Sequence, residues 1–124
     1  MQNLKYKTDL RERCYKFSIQ VIKLVDTLPQ KRSAWVIQDQ LIRSATSIGA
    51  NLVEAKGSGT RLEFKRFFQI ALKSANETRY WLNLLKDLGL ADLNKIETII
   101  TELNEIAKMI TTAIMNLKLK PENF

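Results

Sequence analysis

Between Ile37 and Ala55 the chain carries two stripes at helical spacing. Ile37, Leu41, Ala45, Ile48, Leu52 and Ala55 form an apolar line, and Gln40, Arg43, Ser47, Asn51 and Glu54 form a polar one. Steps of three and four place each set on one side of a helix, with the polar line about a quarter-turn from the apolar one. The polar residues therefore lie beside the buried face, where polar groups need partners. A row of five implies a matching polar row on a neighbouring helix or another subunit.

The same periodicity recurs along the chain and no strand pattern competes with it. A first helix is expected over about 9–28, with Asp9 and Glu12 at its positive end, Pro29 beyond its last turn, and a seam of Leu10, Cys14, Phe17, Val21, Leu24 and Leu28. A second spans about 33–55 with Ser33 as N-cap, and Lys56-Gly-Ser-Gly59 makes a loop. A third, about 60–88, opens on the Thr60/Glu63 capping box and stops at Gly89. Its core line is Phe64, Phe67, Phe68, Ala71, Ala75, Thr78, Leu82 and Leu85. A fourth, about 92–117, opens near Asp92 and carries Leu93, Ile96, Ile100, Leu103, Ile106, Ile110, Ala113 and Leu117, leaving residues 118–124 to fray. Short connections between helices of similar length predict an all-α fold: an antiparallel, up-down-up-down four-helix bundle formed by residues 1–124 as one domain. At 124 residues the chain has room for one core.

Charge adds a candidate function. The 20 Lys and Arg outnumber the 13 Asp and Glu, for a net +7. Residues 1–28 carry +3, 29–57 carry +2 and 58–89 carry +3, whereas 90–124 carry −1. On the third helix Arg61, Lys65, Asn76, Arg79 and Asn83 project within about 60° of one another, with Arg66 and Lys73 flanking them and Tyr80 at the edge. Cations at this spacing suit phosphates. The stripe equally fits an ordinary solvated helix face, and repetition around an oligomer would raise its avidity for a polyanion.

Chemistry is sparse by comparison. There is no histidine, and the single Cys14 sits in the apolar seam of the first helix. The commonest general base and metal ligand are therefore missing, as is the Glu-x-x-His motif that would let carboxylates such as Glu54 and Glu77 hold a bundle metal. Lys56-Gly-Ser-Gly59 lacks the spacing of a phosphate-binding loop. The expectation is a protein that is not an enzyme and uses no metal or cofactor. Trp35 and Trp81 read as packing or interface anchors, because no aromatic one turn away continues a stack. The first residues lack the apolar run of a signal peptide, and no window approaches the roughly 18 apolar residues of a membrane span. A cytoplasmic location with no membrane partner is expected.

The run Arg43-Ser-Ala-Thr-Ser-Ile-Gly-Ala-Asn51 with Glu54, followed by Glu63-Phe64, Phe67, Ala71, Ser74 and Glu77, resembles a small bacterial four-helix-bundle family. That family is named for proteins encoded in 23S rRNA intervening sequences, and its relatives include the accessory variability proteins of diversity-generating retroelements. The resemblance extends from about Phe17 to Ile110. The family pattern has Glu-Gly where this chain has Glu54-Ala55, with Gly57 two residues later. The resemblance implies a homopentamer around a central channel, and the retroelement relatives associate with a reverse transcriptase and its RNA. On that view Gln40, Arg43, Ser47, Asn51 and Glu54 meet Ser74, Glu77 and Trp81 in a structural network or subunit interface, with Arg43 neutralised by Glu54 or Glu77 inside the subunit or across the subunit boundary.

Two functions fit the sequence. One is a basic oligomeric accessory protein that binds nucleic acid, preferentially RNA, through Arg61, Lys65, Arg66, Lys73 and Arg79, with a reverse transcriptase as a further partner. The other is a homo-oligomeric protein-interaction scaffold with no nucleic-acid role.

Overall fold

The computed structural model describes residues 2–118, with side chains from residue 9 to residue 117. Among these residues there are four α-helices and no strand: α1 (Gln2–Val25), α2 (Arg32–Lys56), α3 (Arg61–Asp87) and α4 (Leu93–Lys118). Each helix packs against its neighbours in sequence, and α1 closes the circle on α4. One core fills the middle, an arrangement consistent with a four-helix bundle. Residues 119–124, most of the tail expected to fray, lie outside the described residues.

The helix ends follow local chemistry. The Glu63 N–H donates to Thr60 Oγ1 at 3.0 Å, and the Glu63 carboxylate accepts from the Gly59 N–H at 3.0 Å. This satisfies two amides left without partners where α3 begins. At the other end of α3 the Leu90 N–H reaches the Leu85 carbonyl and the Gly89 N–H reaches Lys86, while Gly89 takes a φ of +68°. That is the left-handed closure of a Schellman motif, which glycine adopts without a Cβ penalty. Asp92 Oδ2 accepts from the Lys95 N–H at 3.0 Å and caps α4.

Two expected boundaries are corrected. α1 begins at Gln2 and ends at Val25, where the expectation was about 9–28. The N–H groups of Thr27 and Leu28 turn to carbonyls three residues back, so the chain leaves the α-helical path before Pro29 requires it. The N-cap of α2 is Lys31, with no side-chain cap, and Ser33 lies inside the helix. α2 runs through Ala55 to Lys56 and closes at Gly57.

The seams of α1 and α2 are buried as their spacing requires. Full burial of a side chain such as Phe17, Leu41, Leu103 or Ile106 stabilises the fold by about 1.5–3 kcal/mol relative to exposure. α1 and α2 come close together at Cys14 and Gly49, where an added Cβ would lie 3.2 Å from the Cys14 Cβ. Burial pushes the Cys14 thiol up to about 12, from an ordinary value of 9.0. On α4 the buried stripe is wider than the expected seam and includes Ile99, Ala107 and Ile114. Leu93, the first residue of α4, is 58% exposed, whereas Ile96 in the same turn is buried. Phe64 and Phe67 are only partly buried at the margin of the core.

Candidate nucleic-acid interface

α3 is amphipathic in three directions. Its apolar line faces the core, one polar row faces α2 and another faces α4.

The row toward α2 closes on itself. The Ser44 and Thr78 hydroxyls lie 2.9 Å apart, both buried, and Thr78 Oγ1 donates to the Ser74 carbonyl at 2.8 Å. One turn along, Ser47 Oγ meets Ser74 Oγ at 2.9 Å, while Asn51 Nδ2 donates to the Ser47 carbonyl at 2.8 Å and to its hydroxyl at 3.0 Å. Among the described residues no buried side-chain nitrogen or oxygen lacks a hydrogen-bond partner. Ser44 was not singled out from sequence. Its signal is a serine at i+3 from Leu41 and i−4 from Ile48, on the edge of a core line.

The rest of the expected network is arranged differently. Within the chain Arg43 pairs with Asp39 on its own helix at 3.6 Å and meets neither Glu54 nor Glu77, since a residue one turn away is nearest to hand. Glu77 accepts from Trp81 Nε1 at 3.2 Å. Trp81 is half-buried and stands edge-on to the exposed Tyr80, with ring centroids 5.0 Å apart. Gln40 is half-buried and Glu54 is exposed. Trp35 is exposed and donates to Gln30 Oε1 at 3.2 Å.

The cations of α3 differ in their partners, and Lys86, in its last turn, pairs with Glu97 of α4 at 3.3 Å. Lys65, Arg66 and Lys73 form no ion pair among the described residues, and Arg66 and Lys73 are exposed. Arg61, in the first turn, is half-buried. Arg79 is held: its Nε donates to Asn104 Oδ1 of α4 at 2.9 Å, and its Nη1 donates to Asn76 Oδ1 at 3.0 Å. Other helices carry cations neutralised by carboxylates, among them Lys16 with Glu12 and Lys108 with Glu105. The tightest of these pairs is also one that sequence reasoning missed. Arg13 grips Glu102 through two contacts of 2.6 and 2.9 Å and donates to Met109 Sδ at 3.3 Å, joining α1 to α4. Hydrogen bonding to Glu102 raises the Arg13 pKa further. No sequence spacing signals it, because the partners are on the first and last helices.

Among the described residues no three His, Cys, Asp or Glu side chains gather to hold a metal ion, and no helix is long and apolar enough to cross a membrane. What α3 presents is a row of cations with surplus charge beside a groove of about 910 Å³ between α3 and α4, lined in part by Asn76, Arg79, Asn104 and Lys108. Such a surface recognises anions.

The comparisons with known proteins agree with this fold. The chain is similar to a crystal structure of a protein of unknown function from the S23 ribosomal protein family of Bacteroides thetaiotaomicron VPI-5482. The two are 33% identical with a TM-score of 0.83, over 89% of this chain and 98% of the other. No curated protein matches. The family model described as 23S rRNA-intervening sequence protein matches residues 7–112, nearly the whole helical region, and the chain belongs to that family.

Proposed function

We propose that this protein is a non-enzymatic accessory protein that binds nucleic acid, preferentially RNA, through the basic face of α3. One observation carries the reading: Lys65, Arg66 and Lys73 are grouped on that face of a single helix without a carboxylate partner among the described residues, whereas the other unpaired cations, Lys23, Lys31, Arg32, Lys56 and Lys95, are spread over α1, α2, α4 and the α1–α2 connection. Charge left unneutralised on one face stays available to phosphates, and binding by counterion release follows. Family membership fits this role, and a reverse transcriptase is the protein partner that the resemblance suggests. The proposed site of action is the cytoplasm.

The proposed architecture is an antiparallel bundle assembled into a homopentamer. Antiparallel order is supported by the pairs that join the helices: Ser44 with Thr78 and Ser47 with Ser74 run in opposite senses along α2 and α3, and Arg79 with Asn104 and Lys86 with Glu97 do so along α3 and α4. The pentamer rests on the family resemblance. A ring would repeat the α3 face around one axis and supply avidity.

A second reading, a homo-oligomeric protein-interaction scaffold, is favoured by the exposed Tyr80 beside Trp81, an aromatic pair of the kind that anchors interfaces. If Trp81 is a subunit contact, Trp81→Ala lowers the solution mass to that of smaller species. An intact assembly contradicts that assignment.

Binding of a fluorescent structured RNA and a matched duplex DNA, at low and near-physiological salt with the mass measured in the same buffers, tests the main reading. Sub-micromolar affinity that falls steeply with salt is expected. An intact oligomer that binds neither would overturn it in favour of the scaffold.

A further inference from the structure

The clasp between α3 and α4 has more donors than it uses. Arginine has only donors, so the two carboxamides that hold Arg79 must both turn their oxygens toward it. Asn76 Oδ1 and Asn104 Oδ1 do so at 3.0 and 2.9 Å. Their Nδ2 groups are thereby committed to face away from the guanidinium, and among the described residues no hydrogen bond takes up either one. Arg79 Nη2 is left over as well, since the clasp engages only Nε and Nη1.

Asn76, Arg79 and Asn104 all line the groove of about 910 Å³ between α3 and α4. The groove's carboxylate, Glu105, lies 3.8 Å from the Lys108 ammonium and is offset by it. Arg79 itself has no carboxylate partner among the described residues. The groove therefore has in its lining one delocalised positive charge flanked by two amides, with Thr101, Thr111 and Thr112 among the other lining residues. A donor-only cluster of this kind matches a ligand that is all acceptor and negatively charged.

We infer that the α3/α4 groove holds a phosphate group, bound by Arg79 Nη2 with the Nδ2 groups of Asn76 and Asn104 as flanking donors. The inference deepens the nucleic-acid reading and rests on it for the source of the phosphate, a backbone phosphodiester. It brings into the site Asn104 of α4, the helix in the net negative segment of the chain. Arg79 acts here from a fixed position, so less rotamer freedom is lost on binding than with a freely moving side chain.

The test uses Asn104→Asp in the full-length chain. An aspartate oxygen still accepts from Arg79, so the clasp and the fold are retained while the donor is lost and an acceptor faces the ligand. Asn94→Asp, the same change at an exposed site on α4, controls for the added charge. Anisotropy with a fluorescent single-stranded RNA is expected to show about a tenfold loss for Asn104→Asp and less than about twofold for Asn94→Asp. The side-chain NH2 resonances of Asn76 and Asn104 in the wild type are followed by NMR during addition of the same RNA and, separately, of inorganic phosphate at millimolar concentration. Movement with RNA alone assigns the site to the polynucleotide backbone. Movement with phosphate in a protein that binds no RNA keeps the phosphate site and removes the nucleic-acid reading. If RNA binds and Lys65→Glu with Lys73→Glu weakens it, while Asn104→Asp matches its control and neither resonance moves, the groove site is wrong and the basic face stands. If no RNA binds and neither ligand moves a resonance, both fail.

Discussion

The two polar rows of α3 use similar chemistry to opposite ends. Toward α2, Ser74 and Thr78 meet Ser44, Ser47 and Asn51 in a seam where hydroxyls and an amide donate to one another and to nearby carbonyls. Toward α4, Arg79 is clasped by Asn76 and Asn104, and donors remain. A closed network in a low-dielectric setting gives the fold its register, because any slip leaves a polar group buried without a partner. An open network at a wet groove gains little stability from its hydrogen bonds and keeps capacity for a ligand. The difference separates a polar row that builds the molecule from one that faces a partner.

The largest effect should come from the open side. Lys65→Glu, Lys73→Glu and Arg79→Glu together are expected to cut RNA affinity by about a hundredfold or more at low salt, because phosphate contacts are lost and repulsion replaces them. The helical circular dichroism should remain. Unchanged affinity would break the comparison at once, since the open row would then have no ligand.

Thr78→Val reverses the pattern. It keeps the shape of a buried side chain and removes the hydroxyl that Ser44 meets at 2.9 Å, so thermal or urea unfolding should show a loss of about 1–3 kcal/mol with RNA affinity unaltered. A variant that lost affinity but not stability would reverse the roles of the two rows. Thr60→Ala, which removes the α3 cap from the Glu63 N–H, should cost about 1 kcal/mol and leave both rows intact.

The smallest effect near neutral pH belongs to Cys14. Its folded pKa lies above its unfolded one, so the folded state retains a proton that the unfolded state releases. Its contribution is fully present below pH 9 and is lost as pH rises toward 12. Unfolding measured from pH 8 to 11 should show stability falling across that window, and Cys14→Ala should flatten this part of the profile. In the native protein at pH 8 a thiol reagent should label Cys14 far more slowly than in urea.

Much of the core was legible in sequence because helical periodicity is local: the lines through Leu10 to Leu28 and Ile37 to Ala55 are buried as their spacing demands. The Thr60/Glu63 box and the Gly89 stop were legible for the same reason, since each acts within a few residues. What crosses between helices was harder to read. Periodicity gives the face on which Ser47 and Ser74 lie but not their register, and it carries no sign that Ser44 meets Thr78 or that Arg13 meets Glu102. The same limit applied to charge. Arg79 belongs to the basic stripe by angle, and only the packing of α4 against it revealed Asn104 as its clamp. Within the chain Arg43 meets Asp39 one turn away, a pairing that the i,i+4 spacing of the two residues signals.

The most direct test of the central claim is the salt dependence of binding to one fluorescent RNA, measured side by side for the wild type, the Lys65→Glu/Lys73→Glu variant and Thr78→Val. The account predicts a steep negative slope for the wild type, a shallower slope and weaker binding for the charge reversal, and wild-type behaviour for Thr78→Val. Equal slopes and affinities for the wild type and the charge reversal would contradict it.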